Sequence, residues 1–173
     1  MFDLFNKEFS SGDRLIDVFP SHFSFHSTNR QSKESIKIHI CNLNNIILQA
    51  SADLKSAIIV SNTSVKNQVA TSIVYIHVHD RPIIKTVHHA INVTFTKAKI
   101  FATRCGINQV TNLPNIEQII IITDSIHTAK RIFDSLSHPF QIHMSLISSK
   151  LRKFFDKDRN NTIEFWDFPS QCK

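Results

Sequence analysis

Apolar residues Ile36, Ile40, Leu43, Ile47 and Ala50 follow one another at spacings of four and three, which places them on one face of a helix over 34–50. The pattern then changes. Ala57-Ile58-Ile59-Val60 is a short β-branched run closed by Ser61-Asn62-Thr63-Ser64. Val69 to His79 is a second β-rich segment, and Ile83 to Val93 resumes after Asp80-Arg81-Pro82. Three such segments joined by short turns predict an antiparallel meander.

Helical spacing returns at 96–110, where Ala98, Phe101, Ala102, Cys105 and Gln109 form a stripe and Thr94 or Thr96 can cap the start. Ile116 to Thr123 follows a turn at 112–115 and is apolar enough in its second half to be a central strand covered on both faces. Asp124-Ser125 then caps a helix with Ile126, Ala129, Ile132, Phe133 and Leu136 inward, stopped by Ser137-His138-Pro139. A further helix over 142–155 turns Ile147, Leu151, Phe154 and Phe155 to the core, and Thr162 to Phe168 is a last strand closed by Pro169. Residues 1–33 carry a turn at Ser11-Gly12-Asp13 and no sustained period, so they read as an irregular lead-in. A meander followed by alternating helices and strands predicts an α/β fold with a mixed five-stranded sheet, antiparallel then parallel, and helices on both faces.

Composition narrows the function. The 173 residues suit one core, and the +6 net charge, read as an excess spread along the chain, favours a polyanionic partner. Gly12 and Gly106 are the only glycines, which excludes Walker and dinucleotide-binding loops. Cys41, Cys105 and Cys172 are widely separated and support neither a disulfide framework nor a cysteine zinc site. The longest apolar run, Ile119 to Ile122, is far too short to span a membrane, and Asp3, Lys7 and Glu8 do not form a signal-peptide pattern. An intracellular protein, cytoplasmic or nuclear, is expected.

Three stretches resemble the ribonuclease H-like domain of retrotransposon polyproteins, over about residues 55–170. Val60-Ser61-Asn62-Thr63-Ser64-Val65-Lys66-Asn67 resembles the family's opening strand and turn, usually Thr-Asp-Gly-Ser. Thr96-Lys97-Ala98-Lys99-Ile100-Phe101-Ala102 resembles the start of its first helix, where Ala-Glu-Leu is usual. Ile121-Ile122-Thr123-Asp124-Ser125 matches its Thr-Asp-Ser motif unchanged. The resemblance divides the chain into a connector-like lead-in over 1–54 and a ribonuclease H-like domain over 55–173, with the lead-in similar to the segment that follows reverse transcriptase. No Tyr-x-Asp-Asp polymerase motif is present, so the resemblance implies a fragment or relic of a longer polyprotein.

Members of that family cut the RNA of an RNA–DNA hybrid with two Mg²⁺ ions held by four acidic residues. Ions roughly 4 Å apart need that negative charge. This chain departs from the pattern: Asn62 stands at the first acidic position and Lys99 at the second, Asp124 is retained, and the fourth has no identifiable counterpart. One carboxylate cannot hold two dications beside an ammonium, so the resemblance implies a catalytically degenerate domain with no metal or cofactor of its own. Lys99 is expected to reach Asp124 and fill the charge vacancy.

Lys150, Arg152, Lys153, Lys157 and Arg159 form the densest basic stretch and are candidates for contact with an RNA–DNA hybrid or other nucleic acid, the alternative being a solvated helix face. His77, His79, Asp80, His88 and His89 could present a cross-strand zinc site, but no ligand spacing requires it. Phe165, Trp166 and Phe168 read as core before stacking platform. Ser64, Ser125 and Cys105 lack a base at interpretable spacing, and Ser125 suits a helix cap. Two other readings stay open: an active hybrid ribonuclease with substitute ligands, and a structural or protein-interaction domain.

Overall fold

A computed structural model describes residues 14–28, 32–134 and 141–168. The expected Ser11-Gly12-Asp13 turn, Leu136, the Ser137-His138-Pro139 stop, Pro169 and Cys172 lie outside the described residues, as does the Ile132 side chain. In chain order the elements are α1 (Leu15–Val18), a 3-10 turn (Pro20–His22), β1 (Phe23–His26), α2 (Lys33–Ser51), β2 (Ser56–Lys66), β3 (Val69–Val78), β4 (Ile84–Ile91), α3 (Phe95–Thr111), β5 (Gln118–Thr123), α4 (Ile126–Asp134), α5 (Gln141–Lys157) and β6 (Thr162–Asp167).

The strands form one mixed sheet in the order β1-β6-β5-β2-β3-β4. β2, β3 and β4 are the antiparallel meander, and β5, β6 and β1 extend it in parallel from β2. The sheet has six strands instead of five. The added one comes from the lead-in, expected to be irregular, where Phe23–His26 pairs with Ile163–Trp166. Four residues are too short to carry a period, and the pairing partner lies about 140 positions away, so nothing local announces it.

Alternation separates the two faces. Ala57, Ile59, Ile119, Ile121, Ile163 and Phe165 point toward α3, α4 and α5 in the larger core, while Ile58, Ile120, Ile122 and Trp166 meet Leu43 and Ala50 of α2 in the smaller one. Because both faces of β5 and β6 are covered, the adjacent Phe165 and Trp166 are both buried. Phe168 is 41% exposed, contrary to its placement in the core.

β2 also runs longer than expected. Ser61 to Ser64 continue it instead of ending it, because Thr63 and Val65 are β-branched and no glycine breaks the run. The reversal comes at Asn67 (φ 51°) and Gln68 (φ 63°), the paired left-handed conformation of a tight hairpin, adopted without glycine.

α3 buries Ile100, Ala102, Thr103, Gly106, Ile107 and Val110, a stripe rotated from the expected one through Phe101, Cys105 and Gln109. Gly106 decides the rotation. A Cβ there would lie 2.7 Å from Ile59 Cγ2 and 3.3 Å from Val74 Cγ1, so the helix can touch the sheet only through a residue without a side chain. Gly106→Ala gains about 1 kcal/mol of helix propensity but overpacks a fully buried site at about 1–3 kcal/mol. A net loss of up to about 2 kcal/mol in urea unfolding is expected; a stabilised variant would mean the helix moves off freely.

At the α2–β2 turn, Asp53 accepts hydrogen bonds from the Ser56 hydroxyl (2.6 Å) and the Lys55 backbone N–H (3.1 Å). These bonds hold the carboxyl below its ordinary range. The stability they add is present above the unfolded carboxylate range and is lost as pH falls through the folded value. Asp53→Asn should therefore lower stability by less than about 1 kcal/mol at neutral pH and flatten the decline of Tm below about pH 4.

Candidate functional site

β5 and β2 run parallel, with Val60 opposite Ile122. That register carries Asn62 level with Asp124, which follows directly on β5. Asn62 lies inside β2 and is exposed; the expectation that it ends its strand is corrected by the length of β2. α3 starts from Thr94, whose hydroxyl accepts the Lys97 N–H at 3.3 Å. Lys99 therefore lies in the second turn and faces the end of β5.

The Lys99 ammonium donates to Asp124 Oδ1 at 2.5 Å and sits 4.2 Å from the centre of the Phe95 ring. Its side chain is 10% exposed and that of Asp124 36%. A lysine enters the edge of a core here because its charge is answered by one carboxylate and one aromatic face. The expected contact between Lys99 and Asp124 is present.

The donor set of amide, ammonium and single carboxylate does not suit a divalent ion, which requires several oxygen ligands carrying negative charge. Among the described residues no group of three or more His, Cys, Asp or Glu could hold a metal.

Around Asp124 the backbone is fixed on both sides. The Phe168 N–H donates to the Thr123 carbonyl at 2.8 Å, and the Ser125 carbonyl accepts from the Thr128 and Ala129 N–H groups. Ser125 is thus the cap of α4, as expected, and its hydroxyl lies 2.8 Å from that of Thr128.

The basic stretch is split and lies elsewhere. Lys150, Lys153 and Lys157 recur at three and four residues on one stripe of α5. Arg152 is on another side, its guanidinium 6.0 Å from the Phe19 ring, and Arg159 lies beyond the helix. Lys150 donates to Asn112 Oδ1 at 3.3 Å, at the C-terminal end of α3, whereas Lys99 is near the N-terminal end. Thirteen residues of helix separate those points, about 20 Å. The fold therefore brings Lys99 and Asp124 together, sets Asn62 level with Asp124 but on the sheet face opposite α3, and holds the Lys150 stripe at the far end of α3.

The histidines do not converge. His77 and His89 share a sheet face, but His89 pairs with Thr71 and accordingly lies about 20 Å along the sheet from His77. His88 faces the opposite way, edge-on to Phe101. His79 Nδ1 lies 2.8 Å from the Ser51 carbonyl. Burial pushes the Cys105 thiol up, which disfavours a nucleophilic thiolate.

Two features had no warning in the sequence. Glu164 is gripped by Trp166 Nε1 (3.0 Å) and Gln118 Nε2 (2.8 Å), with His26 Nε2 at 3.2 Å, under a His26 ring stacked 3.9 Å from Trp166. His39 of α2 is buried and its Nε2 lies 2.6 Å from the Asp167 carbonyl. Both depend on strands paired across the whole chain.

Among solved structures, the N-terminal RNase H domain of a Mycobacterium tuberculosis protein, fused to maltose-binding protein, aligns with a TM-score of 0.53 at 12% identity, over 67% of this chain and 84% of that one. RNase H1 from the archaeon Halobacterium salinarum gives 0.49 at 10% identity over 68% and 88%. Prototype foamy virus protease-reverse transcriptase gives 0.49 at 13% over 66% of this chain and 18% of the other. No family profile matches the chain, and no curated protein matches it. No helix among the described residues is long and apolar enough to cross a membrane. The strand order, the mixed sheet and the structural likeness together give this chain a ribonuclease H-like fold.

Proposed function

We propose that this chain is a catalytically degenerate ribonuclease H-like domain of a retroelement that has kept nucleic-acid binding without metal-dependent cleavage. The observation that carries the reading is the Lys99–Asp124 ion pair: the one retained motif acid is committed to an internal cation. The residues ahead of 55 act as the segment that joins the domain to an upstream polymerase, and the source is an intracellular element. Binding rests on phosphate contact with the cationic helices and falls with salt.

The test is an RNA–DNA hybrid incubated with Mg²⁺ or Mn²⁺, alongside a binding titration at two salt concentrations. Salt-sensitive binding without cleavage is expected. Cleavage that disappears in Asp124→Asn would overturn the reading. A companion variant, Lys99→Glu, replaces the internal cation with a second carboxylate beside Asp124. Its Tm should rise with added Mg²⁺ while the parent chain stays unmoved; equal insensitivity of both would mean that positions 99 and 124 do not form a cation site.

An interaction domain without nucleic acid is favoured by one observation: Val60, Tyr75 and Val87 leave an apolar, exposed area on the sheet face not covered by α2. Failure to bind any nucleic acid would select it.

A further inference from the structure

The charge of this protein is not spread along the chain, as its sequence suggested. α3 and α5 together contain seven Lys or Arg and one acid, Asp156, which accounts for the whole +6; the remaining residues balance at thirteen cations and thirteen acids. The two helices pack side by side on the same face of the sheet. Between them lies a cavity of about 260 Å³ lined by Arg104, Cys105, Ile107, Asn108, Leu146, Ile147 and Lys150. No acid lines it.

Helical geometry turns these residues into a track. Lys97, Arg104 and Asn108 share one stripe of α3, and Lys150, Lys153 and Lys157 share one stripe of α5. The helices run in the same direction, because Arg104 and Asn108 flank the cavity with Leu146 and Ile147 while Asn112 meets Lys150 further on. From Lys97 to the level of Asn112 and on to Lys157 the track is about 33 Å long. Its ends are cationic, its middle presents the half-exposed Leu146 above the buried Ile107 and Ile147, and Asn108 adds an amide that can donate or accept.

We infer that the α3/α5 groove binds a single strand of nucleic acid, with phosphates along the Lys and Arg stripes and a base seated against Leu146. This rests on the nucleic-acid reading above and places the contact away from the Lys99–Asp124 end, so binding does not need the lost acids. A single strand is favoured over a duplex because a duplex keeps its base faces stacked inside and cannot lay one against the apolar side chain.

The test is fluorescence anisotropy of the full chain with a labelled dodecameric oligouridylate, an oligothymidylate of the same length and an RNA–DNA hybrid. If Arg104, Lys150, Lys153 and Lys157 each neutralise a phosphate, raising salt from about 50 to about 200 mM weakens single-strand binding roughly 50-fold. Lys153→Gln with Lys157→Gln, both exposed, lowers the slope of log affinity against log salt by about 1.4. Leu146→Asp, which sets an acid in the groove at a half-exposed position, weakens the single strands at least roughly tenfold. Lys85→Gln, on the edge strand β4, changes neither quantity. Single-strand binding indifferent to Leu146→Asp and to the double lysine variant overturns the groove. A hybrid bound more tightly than either single strand and equally indifferent removes the groove but leaves the nucleic-acid reading standing. Absence of binding to all three probes removes both.

Discussion

Replacing Asp124 with Asn is expected to destabilise the protein by about 2–3 kcal/mol in urea unfolding, although the substitution changes only one oxygen to an amide nitrogen. Lys99 is 8% exposed, and without Asp124 its ammonium keeps only the Phe95 ring. Breaking a buried pair by removing one partner costs about 3–5 kcal/mol; the figure is lower here because Asp124 is 36% exposed and water reaches its side of the pair. Lys99→Met should cost less, about 0–1 kcal/mol, since the remaining carboxylate can hydrate. The double variant should be more stable than Asp124→Asn alone, because it removes the stranded charge as well as its partner. If Asp124→Asn lies within about 0.5 kcal/mol of the parent, the pair has no structural role, and a cation other than Lys99 could take its place.

The second large effect concerns the lead-in. Phe155 of α5 is 1% exposed and its ring lies 5.3 Å from Phe19, 4.9 Å from His22 and 5.2 Å from Phe23. Those three residues come from the first described segment, so one side chain joins α1, the 3-10 turn and β1 to the helical layer. Phe155→Ala should cost about 3–5 kcal/mol, a large share of the 5–15 kcal/mol typical of a domain. Amide exchange in Phe23–His26 should accelerate more than in β5, because the edge strand loses its packing while the central strand keeps neighbours on both sides. Uniform acceleration across β1 and β5 would show that the lead-in has no separate opening.

Much of the fold was legible because periodicity is a property of the local backbone. The spacing of Ile147, Leu151, Phe154 and Phe155 identified the inward face of α5, and all four are buried. The isoleucine run of β5 was readable as a central strand for the same reason: only a strand covered on both faces can be apolar at every position. α3 was harder. Its inward stripe uses Thr103 and Gly106, which a search for large apolar residues passes over, yet close approach to Ile59 requires a residue that small. β1 was unreadable from its four residues because its stability comes from β6 and from Phe133, Phe155 and Phe165 across the chain.

The site divides in the same way. Thr123-Asp124-Ser125 was recognisable as a strand end followed by a cap, and the Lys99–Asp124 contact was expected from the order of elements. The contiguous run from Lys150 to Arg159 suggested one basic surface, but a helix turns each residue about 100° from the last, which sends Arg152 toward Phe19 and keeps Lys150, Lys153 and Lys157 together. The histidine pair on β4 is divided by strand alternation, one toward Phe101 and one toward Thr71.

The order of helices and strands from α2 onward and the balance of charge were thus set by the amino-acid sequence alone, since each depends on residue identity and near-neighbour spacing. Tertiary structure decided which strand edge the lead-in covers and that the entire net charge gathers on two adjacent helices. Those outcomes depend on crossovers that bring residues tens of positions apart to within a few ångströms, and no local period encodes that distance.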